Sequence, residues 1–193
     1  MLFRSDGALA VLALPYGFQI RDRSVGVVEG GAGDWALLDA PTPGLANSAP
    51  SALGNASRVR INEWMADPGS GADWIELYNA DPLPVALGGL VFTKRTVLPL
   101  TNRPIAALSF LAPDDYLQFY ASGLAKTDAN HLDFKLGSSG ETLTLYMTNP
   151  ITLLDRVIFG TQNTDISQGR LPDGGPVIQT LTTPSPGASN FQL

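Results

Sequence analysis

Arg58-Val-Arg-Ile-Asn-Glu63 and Asp73-Trp-Ile-Glu-Leu-Tyr-Asn79, separated by Asp67-Pro-Gly-Ser-Gly71, decide the fold of this chain. In the first run apolar Val59 and Ile61 alternate with polar neighbours, the period-two pattern of a strand that buries one face. The Pro-Gly-Ser-Gly run is a turn signal, because glycine and proline supply backbone angles that a strand cannot use. The second run resumes the pattern and stops at Ala80-Asp-Pro-Leu-Pro84, another turn. Two strands are therefore predicted here.

Working outward, Val85 to Lys94 reads as a more apolar strand and Ala106 to Leu111 as a short one. Asp115-Tyr-Leu-Gln-Phe-Tyr120 reads as another, after Pro113-Asp114. Past a loop holding His131, the stretch Phe134 to Met147 reads as a Gly-rich turn entering a strand with Leu143, Leu145 and Met147 on one face. Asn149-Pro150 turns the chain into Ile151 to Phe159, and strands around Gln168 to Leu171 and Val177 to Leu181 close the series. About seven to nine short antiparallel strands predict an all-β chain, and a β-sandwich buries them most economically. Composition agrees, with 44% hydrophobic residues and 20 Gly and 15 Pro spread without a short period.

The chain also repeats itself. Residues 17–47 and 160–190 align without a gap, sharing Gly17/Gly160, Gln19/Gln162, Asp22/Asp165, Ser24/Ser167, Gly26/Gly169, Gly31/Gly174, Leu38/Leu181, Pro41/Pro184, Pro43/Pro186, Gly44/Gly187 and Asn47/Asn190. Ordinary residue usage predicts roughly two such identities by chance. Residues 1–47 thus read as the closing part of one domain, 48–57 as a small, polar linker, and 58–193 as a complete second copy, the whole resembling a cut-out from a tandem array. Strands around Ala8 to Tyr16 and Trp35 to Ala40 would belong to a sandwich lacking its other strands. They must pack on the intact copy, pair with another chain or stay loose.

Several function classes lose support. The chain has no cysteine, which removes disulfides, thiolate nucleophiles and thiolate metal sites. A formal net charge of -6 repels phosphate backbones, and Lys94-Arg95 near Arg103 is better read as a solvated strand end than as a nucleic-acid patch. The apolar run Ala8 to Leu14 aligns with the strand Ile151 to Val157, and no run reaches the roughly eighteen apolar residues of a membrane helix.

Ile61-Asn-Glu-Trp-Met-Ala66, Asp73 to Asn79, Leu87-Gly-Gly-Leu90, Phe134 to Glu141, Asp155 to Gly160, Asp165-Ile-Ser-Gln-Gly-Arg170, Pro172-Asp-Gly174 and Pro184 to Asn190, in this order, resemble a lamin tail domain of bacterial type. Residues 1–47 resemble the end of the same domain, departing where Val27 and Gly30 stand opposite Arg170 and Asp173. The resemblance implies an immunoglobulin-like antiparallel β-sandwich and a non-catalytic interaction module. It further implies a place in a secreted or cell-envelope multidomain protein, beside tandem neighbours, with a protein or glycan partner; the acidic balance argues against nucleic acid, and the lack of a long apolar run against membrane insertion.

Trp64, near a strand end, is expected to be half exposed and is the best single contact candidate, with Asn62 and Glu63 beside it. Trp74 shares a strand face with Glu76 and Tyr78 and is expected to pack in the core. Asn62, Glu63, Asp73, Glu76 and Asn79 form a polar set that lacks the loop spacing of a calcium site, so their expected role is to bond turn backbone and pin strand ends. Asp165, Ser167 and Gly169 recur in both copies, as do Pro186, Gly187 and Asn190, and a shared fold explains them. Arg170 is expected to pair with a carboxylate. No catalytic residue, metal or cofactor is expected: His131 is the only histidine and no G-x-S-x-G elbow occurs. A passive spacer and a calcium-stabilised adhesion module are the alternatives to a binding module.

Overall fold

The computed structural model describes residues 15–28, 34–95, 99–124 and 128–191. The strands found there are β1 (Ser24–Val27), β2 (Trp35–Leu38), β3 (Val59–Met65), β4 (Asp73–Asn79), β5 (Val85–Ala86), β6 (Val91–Thr93), β7 (Phe110–Leu111), β8 (Tyr116–Ala121), β9 (Glu141–Thr148), β10 (Ile151–Phe159), β11 (Ser167–Arg170) and β12 (Ile178–Leu181). A five-stranded sheet, β12-β11-β3-β4-β8, faces a three-stranded one, β10-β9-β6, while β5-β7 and β1-β2 form separate pairs. All pairings between these strands are antiparallel. The fold is an all-β, immunoglobulin-like β-sandwich.

Alternation places the core. Val59 and Ile61 of β3, Ile75 and Leu77 of β4, Phe119 of β8, Phe92 of β6, Leu143 and Leu145 of β9, and Val157 and Phe159 of β10 form one buried cluster between the two sheets. Phe119 joins the sheets through an edge contact with Phe92, ring centroids 5.1 Å apart.

A bulge in β3 changes the reading of that strand. Ile61 pairs with Leu77 but Glu63 pairs with Glu76, so Asn62 is an extra residue in the ladder. One extra residue reverses the alternation beyond it, turning Trp64 and Ala66 toward the core with Val59 and Ile61. Trp64, expected half exposed, is fully buried and lies 5.7 Å from the Phe159 ring. Trp74 is also corrected. It is buried, but Ile75 and Leu77 take the intersheet side, so Trp74, Glu76 and Tyr78 occupy the outer face of the five-stranded sheet.

Two expected strands are shorter than predicted. Val85 to Lys94 divides into β5 and β6 because Gly89 adopts φ +84 and Leu90 N–H bonds back to Leu87. Ala106 to Leu111 contributes only β7, since Leu108 adopts φ +52. The strand expected around Ala8 to Tyr16 lies, as far as residue 14, outside the described residues, as does Gly30. Trp35 to Ala40 forms β2. Upstream of β1, Phe18 accepts a backbone bond from Phe110 N–H and stacks edge-on against Phe119, so this stretch packs on the main sandwich.

Candidate functional site

The chemistry-bearing residues converge on the outer face of the five-stranded sheet, around the β3 bulge. Gly169, Glu63, Glu76 and Gln118 lie side by side across β11, β3, β4 and β8. Two carboxylates directly opposite one another repel unless something donates to both. The segment after β12 does so. Ser185 donates its backbone N–H (3.2 Å) and its hydroxyl (3.2 Å) to Glu63, Ser167 donates its hydroxyl at 2.5 Å, and Gly187 N–H donates to Glu76 Oε2 at 2.5 Å. Exposed Pro186, with no N–H of its own, spaces the two donors, and Gly187 turns with φ +81.

The bulged Asn62 completes the cluster. Its amide donates to Glu76 Oε1 at 3.3 Å and Asp173 Oδ1 at 2.9 Å, and its carbonyl oxygen accepts from Gly174 N–H at 2.9 Å. Asp173 also accepts from Tyr116 hydroxyl, Asn190 N–H and Ser189 hydroxyl. Asn190 in turn donates to the backbone oxygens of Asn62 and Arg170. It approaches that closely because residue 169 is glycine: a Cβ there would stand 2.6 Å from Asn190 Nδ2 and 3.0 Å from Asn62 O.

Burial sets the electrostatics. It pushes the carboxyl of Glu63 upward against the donors from Ser167 and Ser185, and that of Glu76 up to about 7 against those from Gly187 and Asn62, with Glu63 adding repulsion. Burial acts upward on Asp173 too, but its donors prevail and hold it below the ordinary value. Tyr116 is raised by burial and by donating to Asp173. Within this arrangement the side chains of Glu63, Glu76, Asn62, Asp173 and Asn190 are engaged with one another and with the segment after β12.

Arg170 meets the expected carboxylate. Its guanidinium donates to both oxygens of Asp155, at 2.9 and 3.1 Å, and through Nε to Ile61 O, while Asp155 accepts from Ile61 N–H at 2.8 Å. Since β11 pairs with β3 only at Glu63 and Trp64, this ion pair takes the place of a neighbouring strand for Ile61. Asn79 donates to the backbone oxygens of Leu83, Leu111 and Ala112, tying the end of β4 to the following turn and to β7. Asp73, raised by burial, accepts from Leu136 N–H, and Asp165, at φ +61, from Gly69 N–H.

Sequence reasoning missed Asp155, Asp173, Ser185 and Gln162 as partners. Asp173 could have been found, because Pro172-Asp-Gly174 has the look of a turn whose carboxylate has work to do. Gln162 caps the far end of β3 by accepting from Ala66 N–H and donating to Trp64 O, and nothing in its surroundings in the sequence signals that.

Elsewhere, His131 Nδ1 lies 2.8 Å from Ser122 Oγ, and Asp128 Oδ2 is 4.0 Å from the other ring nitrogen. Asp128 is mostly exposed and too distant to fix the ring, so the relay geometry of a nucleophilic triad is not met. Among the described residues no group of three or more His, Asp or Glu side chains stands where it could hold a metal ion. An open cleft of about 590 Å³ lies between β2 and the loop before β7, lined by apolar Trp35, Leu37, Leu53, Ile105 and Phe110. Its Ser109 hydroxyl already donates to Ala106 O.

Curated proteins and solved structures give no match to this chain. A family model described as Lamin Tail Domain matches residues 54–161, from just before β3 to just after β10. That span is more than half of the 193 residues and contains β3 to β10, with β11 and β12 of the five-stranded sheet beyond it; the family is not a known enzyme family, and the chain belongs to the lamin tail domain family.

Proposed function

We propose that the protein is a non-catalytic binding module of a larger secreted or cell-envelope protein, of the bacterial lamin-tail type, flanked by tandem neighbours and recognising a protein or glycan through strand edges and loops. The observation that carries this reading is the contrast between the two outer surfaces. The five-stranded sheet turns its charged groups inward upon one another. The three-stranded sheet, by contrast, ends in β10, a nine-residue edge strand whose Ile151, Leu153 and Ile158 are 52%, 44% and 67% exposed. Apolar side chains concentrated on an edge strand favour pairing with another surface.

The test is a titration of the full chain against a glycan array and against envelope proteins of the source cell, repeated with Leu153→Glu and Ile158→Glu together. Saturable binding that this pair abolishes, with the thermal melt retained, supports the reading. Absence of any saturable ligand favours a passive spacer. A melting temperature that rises in millimolar calcium and returns with chelator favours the calcium-stabilised module instead.

A further inference from the structure

The β1–β2 hairpin reproduces the register and turn of the β11–β12 hairpin, and the comparison reveals a socket. Ser24 pairs with Leu38 and Val27 with Trp35, as Ser167 pairs with Leu181 and Arg170 with Ile178. Val28 N–H bonds to Asp34 O as Leu171 N–H bonds to Val177 O. Asp22 and Asp165 share positive φ, at 57 and 61, and Gly44 and Gly187 do too, at 77 and 81. Asn47 donates to Val27 O at 2.9 Å as Asn190 does to Arg170 O at 2.8 Å. Gly26 is as confined as Gly169, a Cβ meeting Leu38 Cδ1 at 2.6 Å and Asn47 Nδ2 at 2.8 Å.

What differs is the neighbour. β11 receives β3 on its second edge, with Gln168 opposite Trp64 and Gly169 opposite Glu63, and its donors hold Glu63 and Glu76. Among the described residues the only strand paired with β1 is β2. The matching donors remain: the Ser24 hydroxyl, which donates to Ala40 O at 3.4 Å, for that of Ser167, Thr42 N–H and hydroxyl for those of Ser185, and Gly44 N–H for that of Gly187. No carboxylate accepts from them among the described residues, and Asn47 is exposed where Asn190 is buried.

We infer that the β1 edge is a docking site for an extended strand of the pattern apolar-x-apolar-Asn-Glu-aromatic, supplied by a partner polypeptide, whose glutamate seats between Ser24 and Thr42. Backbone bonds to Val25 supply the ladder, as those to Gln168 do for β3, because the alternation of an antiparallel pair points its N–H away from β2, while the Val27 carbonyl already accepts from Asn47. The glutamate supplies specificity, meeting the Thr42 donors and drawing the Ser24 hydroxyl from its long 3.4 Å bond to Ala40 O. Val27 replaces Arg170, so the partner needs no counterpart of Asp155. This site is separate from the β10 surface, and either can fail without the other.

The probe is a labelled peptide with the sequence of residues 58–67, titrated into the full chain by fluorescence anisotropy, with light scattering on the chain alone. The expected result is saturable one-to-one binding, weakened at least tenfold when the peptide glutamate is replaced by glutamine. Val25→Pro should abolish binding while leaving the thermal melt unchanged, since proline is tolerated where an edge N–H faces solvent. Equal binding by the glutamine peptide, undiminished binding by Val25→Pro, or no saturation by the unaltered peptide would overturn the proposal. So would a dimer of the chain alone that Val25→Pro dissolves, because a second copy would then occupy the edge.

Discussion

Glu76→Gln should remove a pH dependence of stability that runs opposite to ordinary acid denaturation. Glu76 is fully buried opposite Glu63, and burial carries its carboxyl from the ordinary 4.5 up to about 7. The folded protein therefore keeps a proton that the unfolded chain has already released. For a carboxyl raised in this way, the stabilising contribution is complete below about 4.5 and disappears as pH rises through about 7. At about 1.4 kcal/mol per pK unit, that interval gives about 3 kcal/mol as a ceiling, of which about 2 kcal/mol or a little more falls between pH 5 and 8. Glu63 and Asp73 are raised as well and act in the same direction, whereas the lowered Asp173 makes the fold less stable only as pH falls toward and below its ordinary 3.8. Urea unfolding at pH 5, 6, 7 and 8, followed by fluorescence of the buried Trp64 and Trp74, reads the effect. Glutamine loses one acceptor facing Gly187 or Asn62, so the variant should be weaker by about 1–2 kcal/mol at pH 5. That deficit should shrink or reverse by pH 8. A constant deficit across the four pH values would show that Glu76 ionises normally, and that Gly187 and Asn62 outweigh its burial.

The Arg170 and Asp155 pair should be stronger in the breach than in its presence. Arg170→Met leaves a carboxylate that is 10% exposed without its counter-ion and should cost about 3–5 kcal/mol in urea unfolding, while Arg170→Met with Asp155→Leu should cost less than the two single changes together. Gly169→Ala should cost about 1–3 kcal/mol, because its Cβ collides with Asn190 Nδ2 and the backbone oxygen of Asn62. Gly187→Ala, with nothing within 4 Å of its Cβ, should cost only about 1 kcal/mol of backbone strain. Equal losses at the two glycines in thermal melts would refute the steric account of residue 169.

How far the sequence reveals this molecule depends on whether a signal is periodic. Alternation in β4 and β9 places Ile75, Leu77, Leu143 and Leu145 against the core without help from the rest of the chain. Alternation in β3 fails at a single point. Asn62 is inserted into the ladder, so counting by twos from Val59 turns Trp64 outward, while the chain turns it inward. No local feature announces the bulge, because its cause is distant: Gly174 and Asp173 bond the Asn62 side chain from more than a hundred residues away. The outer face of β4 presents the same difficulty. Trp74 and Glu76 are buried on the side away from the core, where the tail through Ser185 and Gly187 engages both carboxylates, and a strand read alone cannot say that its second face has a cover. The repeat supplies a different kind of signal. Gly26 and Gly169, Ser24 and Ser167, and Asn47 and Asn190 occupy equivalent places in two hairpins, but only one hairpin has a strand beside it among the described residues. The retained serine, glycine and asparagine of β1–β2 therefore carry the imprint of a neighbour, which makes the pattern Ile61-Asn-Glu-Trp64 the first strand to offer it.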